Sequence, residues 1–312
     1  MRVFLESIGS LEPWHDQHVL LSELAAKDDV GQHLLVHDRQ KADVILTVFN
    51  QDPRFSKLVH DPRRFGLGTY DLGFPVLPGL YPSLPSWNAH PQFARSCPYL
   101  PRPWESGDTQ PYRESRTYLF SFVGSRLTSS VRNSVLGLRH DRCFLRDTAG
   151  DVAYESRQAP ETYRRFRAEY REVLTKSSFV LCPRGVGASS FRLFETMRAG
   201  RVPVVISDAW VPPLGLPWEE FSIRIPEGEV DSIPAVLESR EKDAVNMGLQ
   251  ALECWNRNFS ESTVFNWLVD QICEMQISDS GRFQNWKFFK LLAPRNIRSV
   301  TLPMVKHRIW RR

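Results

Sequence analysis

The 312-residue chain has no apolar run near the roughly 18 residues that a membrane-spanning helix needs. Its opening, MRVFLESIGS, turns polar too early for the apolar core of a secretory signal. Both absences predict a soluble, cytoplasmic protein. Cysteine is scarce: Cys97, Cys143, Cys182, Cys254 and Cys273 are odd in number, widely spaced and include no C-x-x-C pair. That excludes a disulfide framework and a zinc knuckle, and it predicts reduced thiols. Acid is absent from one region only. From Arg282 to Arg312 there are nine Lys or Arg and no Asp or Glu, whereas the remaining residues carry 31 basic against 36 acidic side chains. The net charge of +4 is therefore a property of the tail. No internal repeat or low-complexity tract is present.

A hydrophobic content of 42% with 12% aromatics can fill a full core at this length, and two domains of ordinary size fit it best. RVFLE, HLLVH and DVILTVF read as short buried strands, and His18, Leu21, Leu24 and Ala25 fall on one helical face between the first two. A proline-rich stretch from Pro75 to Pro111 reads as irregular structure ending in an interdomain connection near Gly107 to Ser115. A second strand and helix alternation follows: TYLFSFVG, then a helix with an apolar stripe of Tyr163, Phe166, Tyr170, Val173 and Leu174, then SFVLC and VPVVIS. Val245, Leu249 and Leu252, then Val264, Leu268, Ile272 and Met275, mark the buried faces of two closing helices.

The chemistry concentrates in FVLCPRGVGASSFRLFETMRAGRVPVVISD, Phe179 to Asp208. With Ser178–Cys182 as a parallel strand and Ser190–Ala199 as the next helix, PRGVGASS is a loop at a strand's carboxyl end, where open α/β sheets bind ligands. Gly185 and Gly187 would permit positive φ and a close backbone approach, and Ser189 or Ser190 would cap a helix whose free N–H groups suit a phosphate. A tight turn and an ordinary cap would use the same residues. Glu195, an acceptor-only carboxylate on the first turns of the helix, could take two ribose hydroxyls or simply favour the helix dipole. Arg192, at i, i+3 spacing, could orient it. Gly200 reads as a C′ glycine.

This stretch is similar to the signature of the exostosin family of glycosyltransferases: an apolar strand, C-P-R-G, a small-residue loop, S-x-R-L-F-E, then G-x-x-P-V-V. Upstream, YLFSFVGSRLTSSVRNSV resembles that family's aromatic-x-G, here Gly124, followed by a spaced Arg, and FPVLPGLYPSL resembles a segment of its bacterial members. The resemblance spans most of Arg116 to Ile225. It implies an α/β, GT-B-like architecture, with two Rossmann-like domains facing across a cleft. On it, residues 1–112 form the acceptor side, 113–280 the nucleotide-sugar domain and 281–312 a basic aromatic tail. It implies an inverting, metal-independent transfer from a UDP-sugar to a glycan or lipid-linked acceptor, with no cofactor, and the lack of a membrane anchor and stem points to a bacterial-type member.

The residues carry the same expectation separately. No D-x-D occurs, so a metal-bound diphosphate lacks its usual paired carboxylates, and Arg126, Arg132 and Arg184 on neighbouring strand-end loops would neutralise the leaving group. For the base, His15 and Asp71 are the candidates, although His15 would equally start a helix and Asp71 form a turn. An NAD-dependent oxidoreductase would want a third glycine at fingerprint spacing, which is missing. A cysteine phosphatase built on CPRG would want Arg six positions after Cys182, where Ala188 stands. A nucleotide-sugar-binding protein without catalysis stays open.

The tail places Trp286, Phe288, Phe289, Leu291, Leu292 and Trp310 among its nine cations, a mixture suited to an anionic bilayer surface and too apolar for a nucleic-acid arm. Packing of Trp286 to Leu292 onto the protein as a last helix is the alternative. Co-sedimentation with phosphatidylglycerol vesicles at low salt should pellet the full chain and leave a chain ending at Ser280 in the supernatant. Equal behaviour of the two forms would remove the membrane role.

Overall fold

The computed structural model describes residues 1–8, 17–49, 61–68, 71, 75, 77–101, 116–151 and 160–278. His15, the connection at 107–115 and the basic tail lie outside these residues. Among those described, no helix is long and apolar enough to cross a membrane.

Two wholly parallel sheets organise the chain. The first contains β1 (Arg2–Ile8), β2 (Leu34–Leu35), β3 (Val44–Phe49), β4 (Arg64–Gly68), β5 (Gly79–Tyr81) and β6 (Ala94–Ser96), in the order β2-β1-β3-β4-β5-β6. The predicted first helix is α1 (Gln17–Ala26), which buries Leu21 and Leu24. Strands such as VILTVF are apolar on both faces because parallel strands are covered on both sides. β1 pairs with β3 from Val3 opposite Val44 to Ile8 opposite Phe49.

The proline-rich stretch is not wholly irregular, contrary to expectation. β5 and β6 are three-residue strands that fit between prolines, so no ladder N–H is lost, and the Pro78 carbonyl still accepts from Gly66 N at 2.7 Å.

The second sheet contains β7 (Tyr118–Gly124), β8 (Cys143–Asp147), β9 (Ser177–Pro183), β10 (Val202–Ile206) and β11 (Ile223–Arg224), in the order β11-β10-β9-β7-β8. Its helices are α2 (Val131–Gly137), α3 (Pro160–Thr175), α4 (Phe191–Arg198), α5 (Trp218–Phe221), α6 (Ile233–Arg240) and α7 (Ala244–Asn258). From β7 the chain steps to β8 on one side and then to β9 on the other. The loops after β7 and β9 therefore diverge and open a crevice between them. Two parallel α/β units of this kind bear out the GT-B-like expectation.

Two helix faces differ from prediction. Tyr163 of α3 is exposed, whereas Phe166, Tyr170, Val173 and Leu174 are buried as anticipated. On α7, Val245 and Leu249 are exposed, and the buried face is Met247, Gly248, Ala251, Cys254 and Trp255. Small residues decide that face. A Cβ on Gly248 would stand 2.3 Å from the Gly200 carbonyl, so α7 lies on the end of α4 at a distance only glycine permits.

The last helix, α8 (Val264–Ser278), follows the second sheet in sequence but packs on α1 and β5 of the first unit. Val264, Leu268, Ile272 and Met275 are buried, as the periodicity predicts. Arg95, buried at the centre of β6, fastens it: Nη1 donates to Gln271 Oε1 at 3.1 Å and Glu274 Oε2 at 2.7 Å, while Nε donates to the Pro91 carbonyl of its own unit at 2.6 Å. His33 Nε2 lies 2.8 Å from Asp270 Oδ1. Glu274 is more than half exposed, so solvent screens its share and the buried bond to Gln271 contributes most to holding α8, with Pro91 orienting the guanidinium. Arg95→Ala should cost about 1–3 kcal/mol in urea unfolding of the full chain. An unchanged midpoint would show that apolar packing alone holds α8.

Candidate functional site

The crevice between β7 and β9 collects most of the residues singled out in the sequence. Arg184 and Gly185 follow β9, Arg126 and Arg132 follow β7, and Gly187, Ser189 and Ser190 lead into α4. The helix ends as predicted. Gly200 has φ of +63°, its N–H reaches the Met197 carbonyl at 3.0 Å, and Arg201 N reaches Thr196 O at 3.1 Å, the pair of bonds that closes a helix with a left-handed glycine.

The start of α4 differs. Ser190 occupies the N-cap position with an extended backbone, but its hydroxyl caps nothing, and the Ser189 Oγ is buried without a hydrogen-bond partner. Gly185 and Gly187 do not have positive φ, so their value is space. A Cβ on Gly187 would lie 1.9 Å from the Asp71 carbonyl oxygen and 2.1 Å from Ser83 Oγ, both contributed by the first unit. Ser189 N donates to Ser83 Oγ at 3.1 Å across the same seam, and Ser86 N donates to Ala209 O at 2.8 Å. The loop after β9 is thus fitted against the segment that carries Asp71.

The arginines divide their work. Arg132 is buried, and its Nε and Nη1 donate to the carbonyls of Arg184 at 3.0 Å and Ser125 at 3.1 Å, lacing the two strand-end loops together. Arg126 turns outward to Asp147, with Nε 3.2 Å from Oδ2. Arg184 Nε donates to Glu227 Oε1 at 2.8 Å. Arg192 does not orient Glu195, contrary to the i, i+3 spacing. Its guanidinium is buried under the end of β7, donates to the Val123 carbonyl and lies 4.6 Å above the Phe122 ring. Gly124 makes room for it, since a Cβ there would stand 2.7 Å from Arg192 Nη2. Arg192 Nε and Nη1 are buried with no partner. Glu195 is held instead from α3, by Arg167 Nη2 at 3.0 Å and by the Tyr170 hydroxyl at 2.7 Å.

Asp71 faces this crevice from the first unit. Tyr99 donates to its Oδ1 at 2.5 Å. Burial raises the Asp71 carboxyl above its ordinary range, against the opposing pull of the Tyr99 hydrogen bond and the Arg132 charge. Burial also pushes the Cys182 thiol up to about 12, which favours its protonated form and speaks against a nucleophilic role. No group of three or more His, Cys, Asp or Glu able to hold a metal occurs among the described residues. Sequence reading gave Arg192 a different role, orienting Glu195, and missed Ser83, Tyr99, Arg167 and Glu227 as members of the site.

A family model for the exostosin GT47 domain matches residues 80–240, more than half of the chain and the whole of the β7–β9 crevice. The chain belongs to the exostosin GT47 family. Its similarity to the Exostosin-1 homolog of Caenorhabditis elegans is 36% identity over 142 residues, which is 42% of this chain and 37% of that protein. For Exostosin-1 of Drosophila melanogaster it is 29% over 166 residues, 48% of this chain and 22% of that protein. These matches span well under half the length of either relative. Among solved structures, Anabaena HepE in complex with UDP is similar at 11% identity with a TM-score of 0.42, over 89% of this chain and 99% of that one.

The seam of this exostosin-family chain depends on a missing side chain. Gly187→Ala should destabilise the protein by about 1–3 kcal/mol, because neither the Asp71 carbonyl nor Ser83 can yield without moving backbone. Urea unfolding checks this, and wild-type stability would mean that the two units are not in contact there.

Proposed function

We propose that this chain is a glycosyltransferase that takes a UDP-sugar in the β7–β9 crevice and passes the sugar, with inversion and without a metal ion, to a glycan or lipid-linked hydroxyl. The observation that carries the reading is the buried Arg192, two of whose nitrogens lack partners, beside the uncapped start of α4 and the unpartnered Ser189 hydroxyl. A buried cation with unspent donors is costly unless an anion completes it. A diphosphate is an anion of the kind that would complete it, and a helix N-terminus adds its free N–H groups. Arg184 and Arg126 stand nearby, each already paired with a carboxylate, Glu227 and Asp147, and Glu195, held by Arg167 and Tyr170, serves the ribose hydroxyls.

In this mechanism Asp71 removes the proton from the acceptor hydroxyl as its oxygen attacks the anomeric carbon. The bond from that carbon to the β-phosphate oxygen breaks, and its electron pair leaves with UDP, whose growing charge falls on Arg192, Arg184 and the start of α4. A carboxyl raised by burial is a stronger base once ionised, and activity is lost as pH falls through its raised pKa. The missing D-x-D supports transfer without a metal. The basic aromatic tail supports a lipid-linked acceptor at an anionic membrane surface.

UDP and uridine titrations of wild type and Arg192→Met test the donor site. UDP should bind the wild type more tightly than uridine does, and the variant should lose most of that difference, at least about tenfold, since a hydrogen bond to a charged group contributes about 1.5–3 kcal/mol. A UDP preference that survives in the variant would remove Arg192 from the diphosphate site. UDP release from UDP-sugars should continue in EDTA. Binding without release, across acceptors, would instead favour a nucleotide-sugar-binding protein.

A further inference from the structure

We propose that Tyr99 is the positioning residue of the transfer reaction, fixing the Asp71 carboxylate in register with the donor-binding helix α4. The inference rests on the reading of Asp71 as the base. Tyr99 follows β6 in the first unit, yet its ring is stacked on Phe191, the first residue of α4, with centroids 3.9 Å apart and planes at 32°. A second aromatic contact, edge-on to Phe194 at 6.2 Å, comes one turn further along the same helix. Its hydroxyl donates to Asp71 Oδ1 at 2.5 Å. One rigid ring therefore touches the base at its tip and the donor helix along its face.

A polar path runs beside the aromatic one. Ser189 N, at the start of α4, donates to Ser83 Oγ at 3.1 Å, the Ser83 hydroxyl acts on the Tyr99 phenol and favours its ionised form, and Tyr99 donates to Asp71. Four groups from both units thus connect the loop before α4 to the carboxylate. With Oδ1 tied to Tyr99, Oδ2 is reserved for the acceptor proton. A displacement of about 1 Å at such a group is enough to cost a large factor in rate, so a ring held against α4 has a function.

The charged and titratable neighbours of this pair among the described residues are Arg132, whose charge stabilises ionised Asp71, and Cys97, buried beside Tyr99. Tyr99 is buried and its phenol is pushed well above the ordinary range, first by burial and then by the Asp71 charge, so it stays a donor throughout the working range. Phe at this position keeps the ring against α4 and removes the hydroxyl, and with it both the bond to Oδ1 and the contact with Ser83.

The test is a carbon-13 NMR titration of the full chain labelled at Asp carboxyl carbons, with the Asp71 resonance assigned by its loss in Asp71→Asn. Tyr99→Phe should move the Asp71 midpoint up by about one pH unit, because the lost hydrogen bond favoured the ionised form. UDP release from UDP-glucose should show its acid limb moved up by the same amount, with UDP affinity unchanged. A midpoint that stays in place in Tyr99→Phe overturns the proposal, with or without turnover. Should Asp71→Asn release UDP as fast as the wild type at every pH, the base reading itself fails. Loss of release in Asp71→Asn with no response to Tyr99→Phe would sink the positioning role alone.

Discussion

The distance between Gly187 and the Asp71 carbonyl fixes how the two sheets meet. A side chain there would force backbone to move, and the contact accompanies those of the Ser83 hydroxyl with Ser189, Ser86 with Ala209 and the Asp71 carboxyl in the field of Arg132. A glycine chosen for closeness rather than for φ puts groups from both halves of the chain within one hydrogen-bonded shell.

Inside that shell the positive charge is built in two ways. Arg132 spends its donors on carbonyls of the diverging loops, so it serves as a brace that also carries charge. Arg192 keeps two donors unspent under the end of β7, a local arrangement that weakens the fold and is tolerable because Phe122 and the Val123 carbonyl cover part of the guanidinium. The same ring is approached by both cations, since Arg132 lies 5.7 Å from its centroid. On the proposed reading, an anion at the start of α4 would supply hydrogen bonds that are missing there.

The sequence was most legible where neighbours in the chain decide the structure. Strands of a covered parallel sheet are apolar throughout, and Gly200 announces the end of α4 by the conformation that only it adopts easily. The Phe179–Asp208 stretch therefore read correctly as strand, loop and helix, and it carried the family. What could not be read depends on residues far away. Spacing suggested that Arg192 would reach Glu195, but a side chain near a helix start leans toward the N-terminus, which aims Arg192 at β7 and leaves Glu195 to Arg167 of α3. Gly187 looked like a turn residue because its partners are more than 100 positions earlier. Leu249 looked buried because hydrophobicity was weighed above size, whereas the close approach of α7 to Gly200 selects Gly248 and Ala251.

The return of α8 to the first sheet bears on the order in which the chain can acquire its structure. During synthesis, Leu21, Leu24 and the β5 end of the first sheet emerge long before the helix that covers them, and the whole second sheet is made in between. Their apolar surface must wait, in water or under a chaperone, for more than 180 residues, from Tyr81 at the latest to Val264. The closing contacts, Arg95 with Gln271 and His33 with Asp270, are among the most distant in sequence that the protein makes. Slow completion of the amino-terminal half, gated by the arrival of the carboxyl-terminal helix, follows from the topology.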